Sequence, residues 1–361
     1  MKKNDFIYSS DQVTEGKTKW TAPSNIALVK YWGKKSIQLP ENPSISFTLS
    51  KCITETKVIY APKKRKKEFI DYDFFFEGKY IKEFDEKIEL FFKRIYKYIP
   101  WIKNYNFIIN SNNSFPHSSG IASSASSMAS LSVCLMDIER ILFPEMKLNY
   151  FNNKASFLSR LGSGSASRSI KGPICIWGSS ISFENSNDYY AIEFGENIHS
   201  VFKTYRDTIL IIDDKMKKVS SSKGHELMKN HPFSNQRIIQ SNKNINSLIS
   251  ILKSGDLESF IKIVELEALS LHALMMTSNP SYILINPETL NVINKIIDYR
   301  ETTKTPICFT LDAGPNVHIL YPESFSRKIL DFINSELIIH CKERKFILDK
   351  VGIGAKKKLI L

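Results

Sequence analysis

The stretch from residue 106 to residue 142 constrains this chain most. A short strand-like run at 106–110 leads to Pro116-His117-Ser118-Ser119-Gly120-Ile121-Ala122-Ser123-Ser124-Ala125, and a helix candidate rich in Ala, Leu and Met follows at 125–142. Strand, small-residue loop and helix, in that order, present a helix N-terminus to a phosphate. The first N–H groups of a helix have no partner inside it and carry a partial positive charge. Gly120 supplies a position that accepts a positive φ, and the hydroxyls of Ser123 and Ser124 offer donors or an Mg²⁺ ligand. Taken alone, the segment reads equally well as a Ser/Ala-rich linker ahead of a small-residue helix. No Gly-Lys-Ser/Thr closes the loop, so it is not a Walker A motif.

The chain around this segment has 361 residues, which suits two domains at a soft prior of roughly 150 residues each. Its first part reads as strand-rich: 44–49, 54–60 and 71–76, the last turning at Glu77-Gly78 into 79–81 as a β-hairpin. Residues 83–98 have helical spacing. A second small-residue segment, 162–169, follows a helix candidate at 154–160. The composition changes near residue 200, giving expected domains of 1–200 and 201–361. The second holds an apolar strand at 208–212, helix candidates at 236–252, 257–275, 287–300 and 322–341, and a strand at 307–311 that ends in Asp312-Ala313-Gly314-Pro315-Asn316.

Five scattered cysteines, most flanked by apolar residues, read as reduced and largely buried thiols. No run approaches the ~18–20 apolar residues of a membrane span, and the first residues lack an apolar signal core. Together these place the protein in the cytoplasm, with no membrane partner. The formal charge of +13 is compatible with nucleic-acid binding, with a site for anionic metabolites, or with a plain lysine-rich bias. The run Lys63-Lys64-Arg65-Lys66-Lys67 reads as a solvated hairpin loop, and Lys356-Lys357-Lys358 as a solvated end.

The loop matches Pro-x-x-x-Gly-Leu-x-Ser-Ser-Ala, the phosphate loop of the GHMP small-molecule kinases, with Ile121 in the Leu place. Four further blocks narrow the likeness. They are Ala22-Pro23-Ser24-Asn25-Ile26-Ala27-Leu28-Val29-Lys30-Tyr31-Trp32-Gly33-Lys34 with Leu39 to Ser46; Gly162-Ser163-Gly164-Ser165-Ala166-Ser167-Arg168-Ser169; Ser270-Leu271-His272-Ala273 with Thr277, Ser278 and Pro280; and Leu311-Asp312-Ala313-Gly314-Pro315-Asn316. In content and order these resemble the mevalonate diphosphate decarboxylase family. The resemblance implies an α+β, GHMP kinase-like two-domain fold, with a ribosomal S5 domain 2-like N-terminal domain, an α+β C-terminal domain and the active site in the cleft. It also implies ATP with Mg²⁺, mevalonate diphosphate as substrate, no nucleic acid, and a homodimer. The family phosphorylates the tertiary 3-hydroxyl, after which phosphate and CO₂ leave to give isopentenyl diphosphate.

Carried onto this sequence, the resemblance makes Asp312 the carboxylate that faces the 3-hydroxyl, a role suited to general base or orienting work. By itself an Asp before Ala-Gly-Pro reads more readily as a turn cap. Arg168 brings a planar fork matched to the substrate carboxylate; the plain alternative is a surface salt bridge. Lys30 becomes the point charge at the transferred phosphate, where otherwise it reads as a strand-end lysine. Ser163, Ser165, Tyr31 and Lys34 are implied substrate contacts, with Lys34 on the diphosphate. Pro116, Ser119, Gly120, Ala122, Ser123 and Ser124 are implied for ATP, with Ser124 the candidate metal contact. Asn25, Asn42 and Asn316 read as loop caps or ligand contacts alike, and His272 as structural.

Some positions depart from the family pattern. Ser167 stands for Cys, Ser126-Ser127 for Ala-Gly, His117 for Thr, and Ser220-Ser221-Ser222-Lys223-Gly224-His225 for a block ending in Met. The adenine contacts have no recognisable counterpart. Two other functions remain open at this stage: a relative acting on mevalonate or its monophosphate, with or without decarboxylation, and a basic nucleic-acid-binding protein.

Overall fold

Two mostly antiparallel sheets organise the residues that the computed structural model describes, which are 3–63, 70–116, 121–195, 197–214 and 221–360, with backbone alone at 221 and 222. The first sheet contains β1 (Gly16–Val29), β2 (Ser44–Pro62), β3 (Asp71–Phe76), β4 (Tyr105–Asn113), β5 (Ile174–Trp177) and β6 (Ile192–Glu193). The second contains β7 (Arg206–Leu210), β8 (Cys308–Thr310), β9 (Val317–Tyr321) and β10 (Phe346–Lys350), in the order β8-β9-β7-β10. The last strand, β11 (Lys356–Lys357), returns to the first sheet and pairs with β1, giving the order β11-β1-β2-β4-β3.

β2 is the spine of the first sheet. One edge pairs with β1 from Tyr60 down to Ile45, while the other pairs with β4 through 54–62 and with β5 through 44–47. The β1–β2 register shifts between Pro23 and Asn25, the kind of irregularity that lets a proline sit inside a strand. Opposite the shift, the N–H groups of Ser50, Lys51 and Cys52 donate to the Asp349 carboxylate at 2.8, 2.8 and 2.7 Å. One side chain from β10 thus satisfies donors that the ladder leaves free.

The helices of seven or more residues among the described residues are α1 (Lys82–Ile95), α2 (Ser123–Leu142), α3 (Leu148–Gly162), α4 (Ser221–Leu227), α5 (Ser234–Ser254), α6 (Leu257–Met276), α7 (Pro287–Thr303) and α8 (Ser326–Phe332). α1 buries Ile88, Phe91, Phe92 and Ile95 on one stripe and carries Glu83 and Asp85 at its start and Lys93 and Arg94 at its end, which suits the helix dipole. α2 packs on β2 through paired hydroxyls as well as apolar contacts: Thr54 with Ser126 and Thr56 with Ser130, each at 2.6 Å. That seam accounts for Ser126, since a buried hydroxyl needs a partner. Ile26, Leu28, Ile45 and Phe47 of the first sheet share one apolar cluster with Ile209, Leu248, Phe260 and Val264. The two sheets are therefore joined through a shared core.

Several sequence expectations need correction. Residues 71–81 do not form a hairpin: β3 pairs in parallel with β4, and only a Phe76–Lys79 bridge follows the turn before α1 begins. The basic run expected as a hairpin loop at 63–67 lies, from residue 64 onward, outside the described residues. The runs 44–49 and 54–60 are one strand. Lys356 and Lys357 are a sheet edge, with Lys357 paired to Asp137 at 2.7 Å, and not a free solvated end. The expected helix at 322–341 breaks into α8, a π turn at Ile333–Leu337 and 3₁₀ turns.

Candidate active site

β1 ends at Val29, so the next residue, Lys30, leaves the ladder and points its side chain inward. It is 2% exposed. Its Nζ donates to the Ala27 carbonyl at 2.7 Å and lies 3.2 Å from Oδ1 of Asp312. Asp312 follows β8 and stands at the start of the 312–316 turn, a quarter exposed. The turn is held from several sides. The Asp312 carbonyl accepts from Gly314 N–H at 2.7 Å and from His272 Nε2 at 3.1 Å. Asn316 accepts from the N–H groups of Ile212 and Asp213 and donates to the Asp213 carbonyl. Burial lowers the Lys30 pKa, Arg168 adds to that, and Asp312 and Glu267 oppose it.

Arg168 closes the other side of the site, in the 3₁₀ segment Gly164–Ser169. It too is 2% exposed. All its hydrogen bonds go to neutral groups: Nε to Ser46 Oγ at 3.0 Å, Nη1 to Ser44 Oγ at 2.6 Å and Nη2 to Asn25 Oδ1 at 3.3 Å. No carboxylate lies within ion-pair distance of it among the described residues. Burial lowers its pKa to about 10, with Asp312 opposing. A buried guanidinium without a counter-ion is costly, and an anionic ligand would relieve that cost.

The small-residue segment meets the start of α2. Ser163 Oγ is 3.3 Å from Ser124 Oγ, which is exposed at the helix N-terminus. Ala122 precedes α2 with φ +47° and gives it no side-chain cap, so the first N–H groups are not capped by a side chain. Ser123 is buried, and Pro116 and Ala122 flank the loop. Ser119 and Gly120, like His117 and Ser220, lie outside the described residues. Ser165 is half-buried, and its carbonyl accepts from Asn25 at 3.1 Å.

Tyr31 packs edge-on against Trp177 at 4.7 Å, and its buried hydroxyl has no hydrogen-bond partner among the described residues. A Cβ on Gly164 would come within 2.7 Å of that ring, so only glycine allows this approach. Lys34 begins a short ribbon with Leu39–Pro40. Its pKa falls to about 8 through burial and the nearby Arg94. His225, in place of the family Met, sits 4.3 Å from the Tyr31 ring and 4.6 Å from that of Trp32. It accepts the Gly33 N–H on Nδ1 at 3.0 Å. Burial and Lys34 hold its pKa well below the usual histidine value, so the ring is a neutral packing element.

The matched asparagines do internal work. Asn25 supports Arg168, and Asn42 donates to the Lys30 carbonyl at 2.8 Å and accepts from Trp32 N–H at 3.3 Å. Sequence reasoning did not single out Arg94, whose Nη1 donates to the Leu161 carbonyl at 2.9 Å and whose charge reaches Lys34. Nothing in a basic last turn of an amphipathic helix sets it apart. Ser44 and Ser46 were visible within a matched block but had no assigned part.

Comparison with known proteins identifies the family and the fold. Residues 22–189 match the diphosphomevalonate decarboxylase-like N-terminal domain and residues 208–357 the mevalonate 5-diphosphate decarboxylase C-terminal domain. The diphosphomevalonate decarboxylase of Ganoderma lucidum is 27% identical over 330 residues, which are 87% of this chain and 80% of that one. The crystal structure of mevalonate diphosphate decarboxylase from Staphylococcus aureus aligns with 96% of this chain and 99% of its own, at 27% identity and a TM-score of 0.78. A complex of MDDEF with MVAPP, AMPPCP and magnesium shares the fold, with a TM-score of 0.78 at 24% identity over 96% of this chain and 99% of that one. Matched in both halves and in order, with the GHMP kinase-like architecture in place, the chain belongs to the mevalonate diphosphate decarboxylase family.

Proposed function

We propose that the chain catalyses the ATP-dependent decarboxylation of (R)-5-diphosphomevalonate to isopentenyl diphosphate, ADP, phosphate and CO₂. One observation carries the reading: the buried cations Lys30 and Arg168 face the carboxylate of Asp312, and of the two only Lys30 is paired with it. Asp312 Oδ1 is held by Lys30, which leaves the other oxygen for the tertiary hydroxyl. There it orients the attacking oxygen and takes its proton. Lys30 then lies beside the oxygen that receives the phosphate. Arg168 takes the substrate carboxylate in its fork and fixes the C–C bond that breaks as phosphate departs. Tyr31, Lys34, Ser163 and Ser165 contact the substrate, with Lys34 and Arg94 supplying charge for the diphosphate.

ATP occupies the α2 side, with its phosphates on the helix start at Ser123 and Ser124 and on the loop from Pro116 through Ser119, Gly120 and Ala122. No group of three or more His, Cys, Asp or Glu suited to a metal occurs among the described residues. An exposed Ser124 hydroxyl fits an Mg²⁺ held chiefly by nucleotide phosphates. When bound, the ion neutralises charge on the β- and γ-oxygens.

ADP formation across mevalonate, its 5-phosphate and its 5-diphosphate tests the substrate. The diphosphate should be strongly preferred, and a preference for the monophosphate would overturn the assignment. The pH profile tests Lys34. Its ammonium is present below about 8 and lost above it, so kcat/KM for the diphosphate should fall with rising pH, approaching about tenfold per unit. Lys34→Arg, which stays charged, should flatten that fall.

We also place the enzyme in the cytoplasm as a homodimer. The five cysteines are free and buried, as suits a reducing compartment, and no helix among the described residues is long and apolar enough to cross a membrane. Ile239 on α5 and Leu266 and Leu269 on α6 are exposed, offering apolar surface to a second copy. Sedimentation at micromolar concentration should give twice the chain mass; a single-chain mass would remove the dimer.

A further inference from the structure

Lys30 and Asp312 come from different sheets, so their 3.2 Å separation depends on whatever joins the two sheets locally. One helix holds both backbones. We propose that α6 is the brace that sets this separation, with its Glu267 and His272, and Arg237 of the neighbouring α5, as positioning residues for the phosphoryl transfer. The proposal rests on the decarboxylase reading and assigns these residues no contact with substrate.

The case begins where β1 stops. Beyond Val29 the Lys30 peptide has left the ladder. Glu267 Oε2 accepts the Lys30 N–H at 2.9 Å, and Arg237 Nη2 donates to the Lys30 carbonyl at 2.9 Å. Arg237 and Glu267 are also paired to each other, Nη1 to Oε1 at 2.8 Å and Nη2 to Oε2 at 2.6 Å, and Asn244 donates to Oε1 at 2.6 Å. Arg237 is 3% exposed and Glu267 0%. A buried ion pair is weak evidence of stabilisation, because desolvation offsets its attraction. What this pair does is fix the backbone of one residue, Lys30, through both its N–H and its carbonyl.

Five residues along the same helix, about 7.5 Å of rise, His272 Nε2 donates to the Asp312 carbonyl at 3.1 Å. His272 is 2% exposed. The Lys30 side chain is tied down at its tip as well, through Ala27. A lysine stem is flexible, so holding peptide and ammonium together removes most of its freedom. The carboxylate partner is held by the same rod. A misplacement of 1 Å at such a pair can lower a rate by about 10²-fold.

The test compares His272→Phe, which removes the donor, His272→Gln, which keeps one, and Glu267→Gln. We expect His272→Phe and Glu267→Gln each to lower kcat by about 10–100-fold with both KM values changed less than about threefold. His272→Gln should regain most of the lost kcat. The His272→Phe/Glu267→Gln double variant should lose less than the product of the single losses, because both act through one gap. Unchanged kcat, KM values rising as kcat falls, or no recovery with Gln would overturn the brace. If Glu267→Gln does not fold, because Arg237 loses its counter-ion, the two His272 variants decide alone. Failure of the decarboxylase reading shows differently, as no ADP formation by the unaltered enzyme with mevalonate diphosphate.

Discussion

Asp312→Asn is expected to lower kcat by about 10²–10⁴-fold, the usual loss when a positioned acid–base group is removed. The change is isosteric but has two consequences. Asn cannot take the proton of the 3-hydroxyl, and Lys30 Nζ loses the one carboxylate it pairs with, 3.2 Å away. The turn itself should survive, since Gly314, His272 and Asn316 hold it through backbone groups. ATP binding should therefore change little, as calorimetry with a non-hydrolysable analogue can show. A kcat loss smaller than about tenfold would remove Asp312 from the chemistry.

Arg168→Lys carries the second large effect. The charge stays, but the fork that reaches Ser44, Ser46 and Asn25 is gone, and with it the proposed two-point hold on the substrate carboxylate. A hydrogen bond to a charged group contributes about 1.5–3 kcal/mol, so kcat/KM should fall by about 10–150-fold. Decarboxylation should suffer more than phosphoryl transfer. In single turnover, ADP should then form ahead of CO₂, whereas equal slowing of both would argue that Arg168 only supports the fold.

Lys30, Arg168 and Asp312 were singled out through the family resemblance of the short contiguous blocks that hold them, an Asn-Ile-Ala-Leu-Val run, a run of small residues and a Gly-Pro turn; taken alone, each reads as an ordinary strand-end, surface or turn residue. The position of His272 was legible within its block, but its bond to the Asp312 carbonyl was not, because a histidine in an apolar helical run looks the same whether or not its second face meets a distant turn. Pairings between remote segments left no local trace either. β1 hid behind Pro23 and the shift that accommodates it. The parallel pairing of β3 with β4 gave the same alternation as a hairpin. The return of β11 to β1 depends on residues more than 300 positions apart. Arg94 could not have been found from sequence, since its relevance comes only from facing Lys34 across the fold.

The charge of +13 takes on a narrower meaning in this frame. At the site, Lys30, Arg168 and Lys34 all have lowered pKa values, with burial the first cause each time. Cations held out of water in this way suit a substrate that brings a diphosphate and a carboxylate, together with ATP. This concentration of charge is a property of the site, whatever the solvated lysines elsewhere contribute.

The central claim is that phosphoryl transfer and loss of CO₂ occur in one site. Single-turnover reaction of the enzyme with ATP, Mg²⁺ and mevalonate diphosphate labelled in the carboxyl carbon tests it most directly. The account predicts one labelled CO₂ for each ADP, with isopentenyl diphosphate as the organic product. Formation of ADP with the label retained in a 3-phosphorylated acid would contradict it.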